Sequence, residues 1–199
     1  MPGEKQCDRG ICVSDQEAAL ERLRQQSGEC VDVVSGMSSI SNSAWRIQFA
    51  GVDAVFRHHT LSFGSPVTDH ERELQIHGRV AEYGLAPEVL FADAKAGLLV
   101  TRFEPAGAFS RQAINAANIP SIAASLRRLH AVPVPDDVAG YSLSEAADCY
   151  WKRAGPPEDQ ELIDRVLRVK HNETIAPAEP PVLCHRDVLH SNLLCTDPV

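Results

Sequence analysis

The order of apolar and polar positions predicts a sequence of short elements. Ser14-Asp15-Gln16-Glu17 sets a hydroxyl and a carboxylate three residues apart, a capping-box spacing, and Ala18, Ala19, Leu20 and Leu23 follow. A helix to about Gln26 is expected, stopped by Ser27-Gly28, and Val31-Asp32-Val33-Val34 then reads as a brief strand. From Ser35 to Ser43 the chain turns to small polar residues. Trp45, Ile47 and Phe49 restore a period of two, Ala50-Gly51 makes a turn, and Val52 to Phe56 runs back to Arg57 as the partner strand. Residues 58–67 read as a loop. Thr68-Asp69-His70-Glu71 is a second capping box, after which Leu74, His77, Val80 and Ala81 share a helical face before the Tyr83-Gly84 stop. Val89-Leu90-Phe91 and Leu98-Leu99-Val100 predict a hairpin across Asp93–Gly97.

Beyond Glu104-Pro105-Ala106-Gly107 the period lengthens. Ile119, Ile122, Ala123, Leu126 and Leu129 recur at helical spacing, with Pro120 in the first turn and an end near His130. Ser144–Arg153 and Glu158–Lys170 predict further helices, separated by Gly155-Pro156-Pro157. A link through Pro177, Pro180 and Pro181 leads to a short apolar strand, Val182-Leu183-Cys184, and Leu193-Leu194-Cys195 closes the region as another.

Composition places these elements in a globular chain. Of 199 residues, 44% are hydrophobic and 23% charged, enough apolar material for a core. Nineteen basic against 27 acidic residues give a net charge of −8, without a Lys/Arg block, which speaks against nucleic acid as a partner. A few local cations can still hold phosphates. No run approaches the ~18 apolar residues of a membrane span, and the first residues lack the apolar core of an export signal. A cytoplasmic location follows as the expectation. The 6 cysteines then read as reduced thiols, several in the core. Cys184, His185, His190 and Cys195 do not follow the spacing of a tetrahedral zinc site.

The chemistry concentrates in His185-Arg186-Asp187-Val188-Leu189-His190-Ser191-Asn192, a polar loop between two apolar segments. A carboxylate such as Asp187 can orient a hydroxyl and take its proton. A neutral amide oxygen such as that of Asn192 can complete the shell of hard, oxygen-seeking Mg²⁺. Phosphoryl transfer depends mostly on positioning and charge neutralisation, so one loop can supply two of its parts. The bland alternative is a polar turn between short strands.

The spacing His185-x-Asp187-x4-Asn192 resembles the catalytic loop of protein-kinase-like enzymes, H-R-D-x4-N. Its apolar flanks resemble the small-molecule branch: the aminoglycoside phosphotransferases and the choline, ethanolamine and thiamine kinases. The resemblance covers roughly residues 30–195. It implies that Gly36 to Asn42, with Gly36, Ser39 and Asn42, covers the phosphates of ATP, and that Arg57 stands where protein kinases carry lysine. Glu73 is the implied partner of Arg57, with Glu71 the runner-up. Thr101 to Pro105 is the implied hinge, where the Arg102 C=O and Glu104 N–H meet adenine. Asp187 is then the catalytic base and Asn192 a ligand of Mg²⁺. His185 is read as bracing the loop through its ring, and His190 has no assigned role.

The expected fold is α/β (α+β), a protein-kinase-like two-lobe arrangement. A loose tail (1–13) precedes an antiparallel-sheet N-lobe reaching the hinge (14–104) and a partial helical C-lobe (105–199). The expected function is ATP-dependent phosphorylation of a small-molecule alcohol of choline/ethanolamine, thiamine or aminoglycoside type. One departure stands against it. The second metal-binding carboxylate of such enzymes does not follow Asn192, since Asp197 is too close and lies in a Thr-Asp-Pro turn. The chain therefore reads as C-terminally truncated, with a non-catalytic fragment or pseudokinase as the alternative. Exposed apolar faces on the 119–130 and 158–170 helices are expected to favour self-association.

Overall fold

Ala19, Leu20 and Leu23 project from one side of a single helix, and that side is the seat on which the first half of the chain is built. In this computed structural model the described residues are 13–37, 43–59, 70–135, 147–149, 151–152, 155, 158–173 and 182–195. The tail over 1–12, Ser39, Asn42, the Thr68-Asp69 cap, the Pro177–Pro181 link and Asp197 lie outside them. Helix α1 (Val13–Ser27) buries Ala19, Leu20 and Leu23. Its end is tied down by the Arg24 guanidinium, which donates to the Val31 carbonyl at 2.8 Å.

Five antiparallel strands follow: β1 (Val31–Met37), β2 (Ser43–Phe49), β3 (Val52–His58), β4 (Val89–Asp93) and β5 (Leu98–Arg102), in the order β1-β2-β3-β5-β4. Side chains alternate across a pleated strand, so register decides which residues reach α1. Trp45 opposes Phe56 and Ile47 opposes Ala54 across β2–β3, while Phe56 opposes Val100 across β3–β5. These five residues, with Val31, Phe49 and Leu98, form the core beneath α1. Trp45 stacks on Phe56 with ring centroids 5.3 Å apart. The expected hairpin over β4 and β5 is present.

The first strand runs further than its sequence suggests. Gly36 and Met37 belong to β1, paired with Trp45 and Ala44, so Gly36 sits in a ladder and not in a loop. A bulge between Val33 and Ser35 absorbs the change of register, and β2 supplies the backbone partners that composition alone cannot show.

The chain divides into two compact units, Met1–Phe63 with Pro87–Phe103, and Gly64–Ala86 with Glu104–Val199. Linear order puts α2 (His70–Glu82) beside the strands, but its contacts place it in the second unit. Val80 is buried there with Val132 and Leu183, and Ile76, Leu85, Ala86, Leu129 and Val134 pack around them. Helix α3 (Ile119–His130) has Pro120 in its first turn, as expected, and contributes Leu129. Residues 147–149 and 151–152 are helical. Helix α4 (Gln160–Glu173) exposes Leu162, Leu167 and Val169. No helix among the described residues is long and apolar enough to cross a membrane.

Two further expectations are corrected. Val182-Leu183-Cys184 forms no strand among the described residues, because Leu183 is buried against helical side chains and not beside another strand. The cysteines among the described residues are free thiols, and none is buried. In the 182–184 stretch Leu183 takes the inward place and leaves Cys184 exposed.

Two tight turns between strands place residues in the left-handed region. The β2–β3 connection holds Ala50 at φ 50° and Gly51 at φ 79°, both in the left-handed region that a type I′ hairpin demands. Alanine is poorly suited to that conformation. Replacing Ala50 by Asn is expected to raise stability by about 0.5–1 kcal/mol, read as a higher Tm. At Gly97, φ is 69° and an added Cβ would lie 2.6 Å from the His59 carbonyl oxygen. Gly97→Ala is expected to lower stability by roughly 1–3 kcal/mol; a variant melting with the wild type would show that the approach is not tight.

Candidate active site

Alternation along β3 sends Ala54 and Phe56 toward α1 and Val55 and Arg57 to the opposite face of the sheet. Arg57 lies between Ala44 on β2 and Leu99 on β5. Leu99, Thr101 and Ala44 are buried, although none belongs to the core beneath α1. Arg57 is thus a half-exposed cation beside the buried Ala44 and Leu99. In the second unit, Glu73 occupies the first turn of α2, its Oε2 3.6 Å from Nδ1 of His70. Glu73 is partly buried, whereas Glu71 is exposed.

The strand end at Arg102 is held on both sides. The Arg102 N–H donates to the Glu88 carbonyl at 2.9 Å, and its guanidinium reaches Glu88 Oε2 at 2.7 and 2.9 Å. One residue on, the Phe103 N–H donates to the Asp53 carbonyl at 3.0 Å. The Asp53 carboxylate takes both arms of Arg46: Nε donates to Oδ1 at 2.9 Å and Nη2 to Oδ2 at 2.5 Å. The same guanidinium lies 3.9 Å above the centre of the Phe103 ring, a cation–π contact. The hydrogen bond from Arg46 holds the Asp53 carboxyl below its ordinary range, outweighing the opposing effect of desolvation, and Asp53 in turn raises Arg46. Nothing in the sequence singled out this cluster. Its only trace is an arginine and an aspartate seven residues apart across a predicted turn. In the second unit, the Glu104 carbonyl accepts from the Gly107 N–H at 3.1 Å.

The loop from His185 to Cys195 is shaped by short-range hydrogen bonds. The Asp187 N–H returns to the His185 carbonyl at 2.9 Å around Arg186, whose φ is 63°. A two-residue return through a non-glycine residue at positive φ is a γ-turn of the rare, strained kind. The Leu189 N–H then donates to the Asp187 carbonyl at 2.8 Å, and a single 3-10 turn covers His190–Asn192. These turns bring Asp187 and Asn192 together. Asn192 Nδ2 donates to Asp187 Oδ2 at 2.8 Å and to the Asp187 carbonyl at 3.1 Å. Both partners can only accept, which fixes the amide orientation and leaves Asn192 Oδ1 turned from the carboxylate. The side chains of both residues are exposed.

Beyond Asn192 the chain is tied to the segment after Phe103. The Phe109 N–H donates to the Leu193 carbonyl at 2.9 Å and the Cys195 N–H to the Gly107 carbonyl at 2.8 Å, around a bridge between Ala108 and Leu194. The ring that joins this tie is that of His190, with Nδ1 3.1 Å from the Phe109 carbonyl oxygen. His185, expected to brace the loop, is exposed.

Asn192 Oδ1 is a hard, neutral oxygen donor suited to Mg²⁺, so the loop fits such an ion. The structure thus brings Asp187 and Asn192 into contact within one unit. Gly36, Arg57 and Arg102 stand on the strands of the other unit, while Glu73 and Glu104 belong with the loop's unit. Ser39 and Asn42 lie outside the described residues.

Comparison with known proteins gives the context. The family model described as "APH: Phosphotransferase enzyme family" matches residues 34–199. The chain is similar in structure to an ethanolamine kinase of Plasmodium vivax, with TM-score 0.63 and 18% identity, over 84% of this chain and 52% of that one. It is similar to a choline kinase of Streptococcus pneumoniae, with TM-score 0.65 and 14% identity, over 90% and 64%. A choline/ethanolamine kinase family protein of Mesorhizobium loti gives 0.60 and 20%, over 92% and 60%. At these identities the likeness establishes the fold: mixed α/β, with a five-stranded antiparallel sheet, of the protein-kinase-like type seen in choline kinase. The chain spans from about half to two thirds of those proteins. No curated protein sequence matches it.

The Arg46–Asp53 pair makes a pH prediction. A carboxyl whose folded pKa is depressed stabilises the fold above its ordinary value near 3.8, and loses that contribution as pH falls through the folded value. Asp53→Asn should therefore melt below the wild type at pH 7, with the gap closing toward pH 3 and narrowing in high salt. An equal gap at both pH values would assign the loss to something other than the ion pair.

Proposed function

The chain belongs to the phosphotransferase enzyme family, and from that premise we propose that it serves ATP-dependent phosphorylation of a small-molecule alcohol. The acceptor is of choline or ethanolamine type, with thiamine and aminoglycosides as the wider class. The observation that carries the reading is the 2.8 Å hydrogen bond between Asn192 and Asp187. It presents a carboxylate and an amide oxygen side by side on one strained loop.

Each role follows from the chemistry of the residue. Asp187 accepts the proton of the acceptor hydroxyl while holding that oxygen toward the phosphorus. The bond from Asn192 occupies one carboxylate oxygen and leaves the other for the hydroxyl. Asn192 Oδ1 holds Mg²⁺, which, when bound, neutralises the phosphate oxygens. Arg57 grips those oxygens with a planar, always charged fork, and Glu73 holds Arg57 in place. Gly36, Ser39 and Asn42 cover the phosphates. The carbonyl of Arg102 and the N–H of Glu104 read the adenine edge. The reaction takes place in the cytoplasm.

Titration with ATP, with and without Mg²⁺, tests this. The wild type should bind ATP more tightly with Mg²⁺, and Asn192→Ala should lose most of that difference. Asp187→Asn keeps an acceptor for the Asn192 amide, so it should bind ATP normally while transfer to choline or ethanolamine falls by roughly 10²–10⁴-fold. Absence of ATP binding in the wild type would end the kinase reading. Binding without transfer to any alcohol would favour a nucleotide-binding module.

A further inference from the structure

The link between His190 and Phe109 spans 81 residues of sequence and joins the middle of the catalytic-type loop to the segment after Phe103. A carbonyl oxygen can only accept, so the ring must carry a proton on Nδ1 to make this 3.1 Å contact. Two backbone bonds reinforce the same junction, Phe109 N–H to Leu193 and Cys195 N–H to Gly107. All of them act on the C-terminal arm of the loop. His190 is half-buried and opens the 3-10 turn that ends at Asn192, whereas Asp187 and Asn192 themselves are exposed. In the N-terminal arm the Asp187 and Leu189 N–H groups close short local returns. One of those returns passes through Arg186 at φ 63°. A strained loop with exposed functional side chains keeps one shape only where something outside it fixes that shape.

We infer that His190 is a positioning residue: through its Nδ1–H bond to the Phe109 carbonyl it fixes the 3-10 turn, and so holds Asn192, and through it Asp187, in the arrangement that meets the metal and the acceptor. The inference rests on the proposed kinase reading for its catalytic meaning, but the brace itself is a property of the ligand-free chain. His190 does not touch substrate. Its effect is transmitted through the backbone from position 190 to position 192.

The test exploits the geometry of amide side chains. Asparagine can place an N–H close to where histidine carries Nδ1, whereas glutamine places it nearer the position of Nε2. His190→Asn, His190→Gln and His190→Ala are compared with wild type in the full chain. The first readout is amide hydrogen exchange over residues 187–195 without ligand, and the second is the ratio of ATP affinities with and without Mg²⁺. Loss of one such bond should speed exchange across this stretch by about fivefold in the Ala and Gln variants and reduce the Mg²⁺ ratio, with Asn close to wild type in both. ATP affinity without Mg²⁺ and the Tm should stay near wild type, because the buried cluster of Val80, Val132 and Leu183 is untouched. Wild-type exchange in His190→Ala, or an Asn variant no better than Gln, would overturn the assignment. A wild type that does not bind ATP removes the kinase reading and the catalytic role of the brace together. That result is separable from failure of the brace, which the ligand-free exchange pattern reports by itself.

Discussion

The register between β2 and β3 is the constraint on which the N-terminal unit depends. It is set by a two-residue turn, Ala50-Gly51, with Phe49 opposite Val52. Because the side-chain period of a strand is two, a slip by one residue would exchange the faces of the strand. Phe56 and Ala54 would leave the core beneath α1, and Arg57 and Asp53 would be driven into it. The burial of an unpaired guanidinium costs far more than the turn strain at Ala50, so the hairpin holds its register despite an unfavourable residue in its tightest position. One alternation therefore does two things. It builds the apolar face that seats α1, and it places Arg57 and the Arg46–Asp53 pair on the other face.

The second unit reaches its chemistry by a different route. Among the described residues its buried cluster joins Val80 of α2, Val132 just beyond α3, and Leu183. The loop that follows Leu183 leaves the side chains of Asp187 and Asn192 exposed. Its shape comes from hydrogen bonds: short returns around Arg186 and Val188, the Asn192–Asp187 contact, and the junction with residues 107–109. Hydrogen bonds are directional where apolar contacts are not, and they set the Asp187 carboxylate and the Asn192 amide in a fixed relation to each other.

Arg46 illustrates how a site's surroundings can matter without carrying chemistry. A bidentate pair with Asp53 and a ring contact with Phe103 link the β2–β3 hairpin to the end of β5. Each contact is modest at a half-exposed position. Together they join three elements at the place where the chain leaves the first unit, and they add to the bond from the Phe103 N–H to the Asp53 carbonyl.

Much of this was determined by the sequence alone. Period-two alternation in Trp45, Ile47 and Phe49, the turn at Ala50-Gly51, the hairpin of Val89–Phe91 with Leu98–Val100 and the helix from Ile119 to His130 are local signals, since each depends on residues a few positions apart. The spacing from His185 to Asn192 is equally local, and the family model that matches residues 34–199 agrees with the family it resembles. Tertiary structure decided the rest. Whether Gly36 is loop or ladder depended on partners in β2, and whether Leu183 is strand or helix-packing residue depended on α2 and α3. The placing of α2 depended on Val132 and Leu183, far along the chain. His190 gained a partner only because folding carried Phe109 to it across 81 positions. Local periodicity and turn chemistry record which element forms; they hold no record of which distant backbone group will stand opposite a given side chain, and that is set by packing.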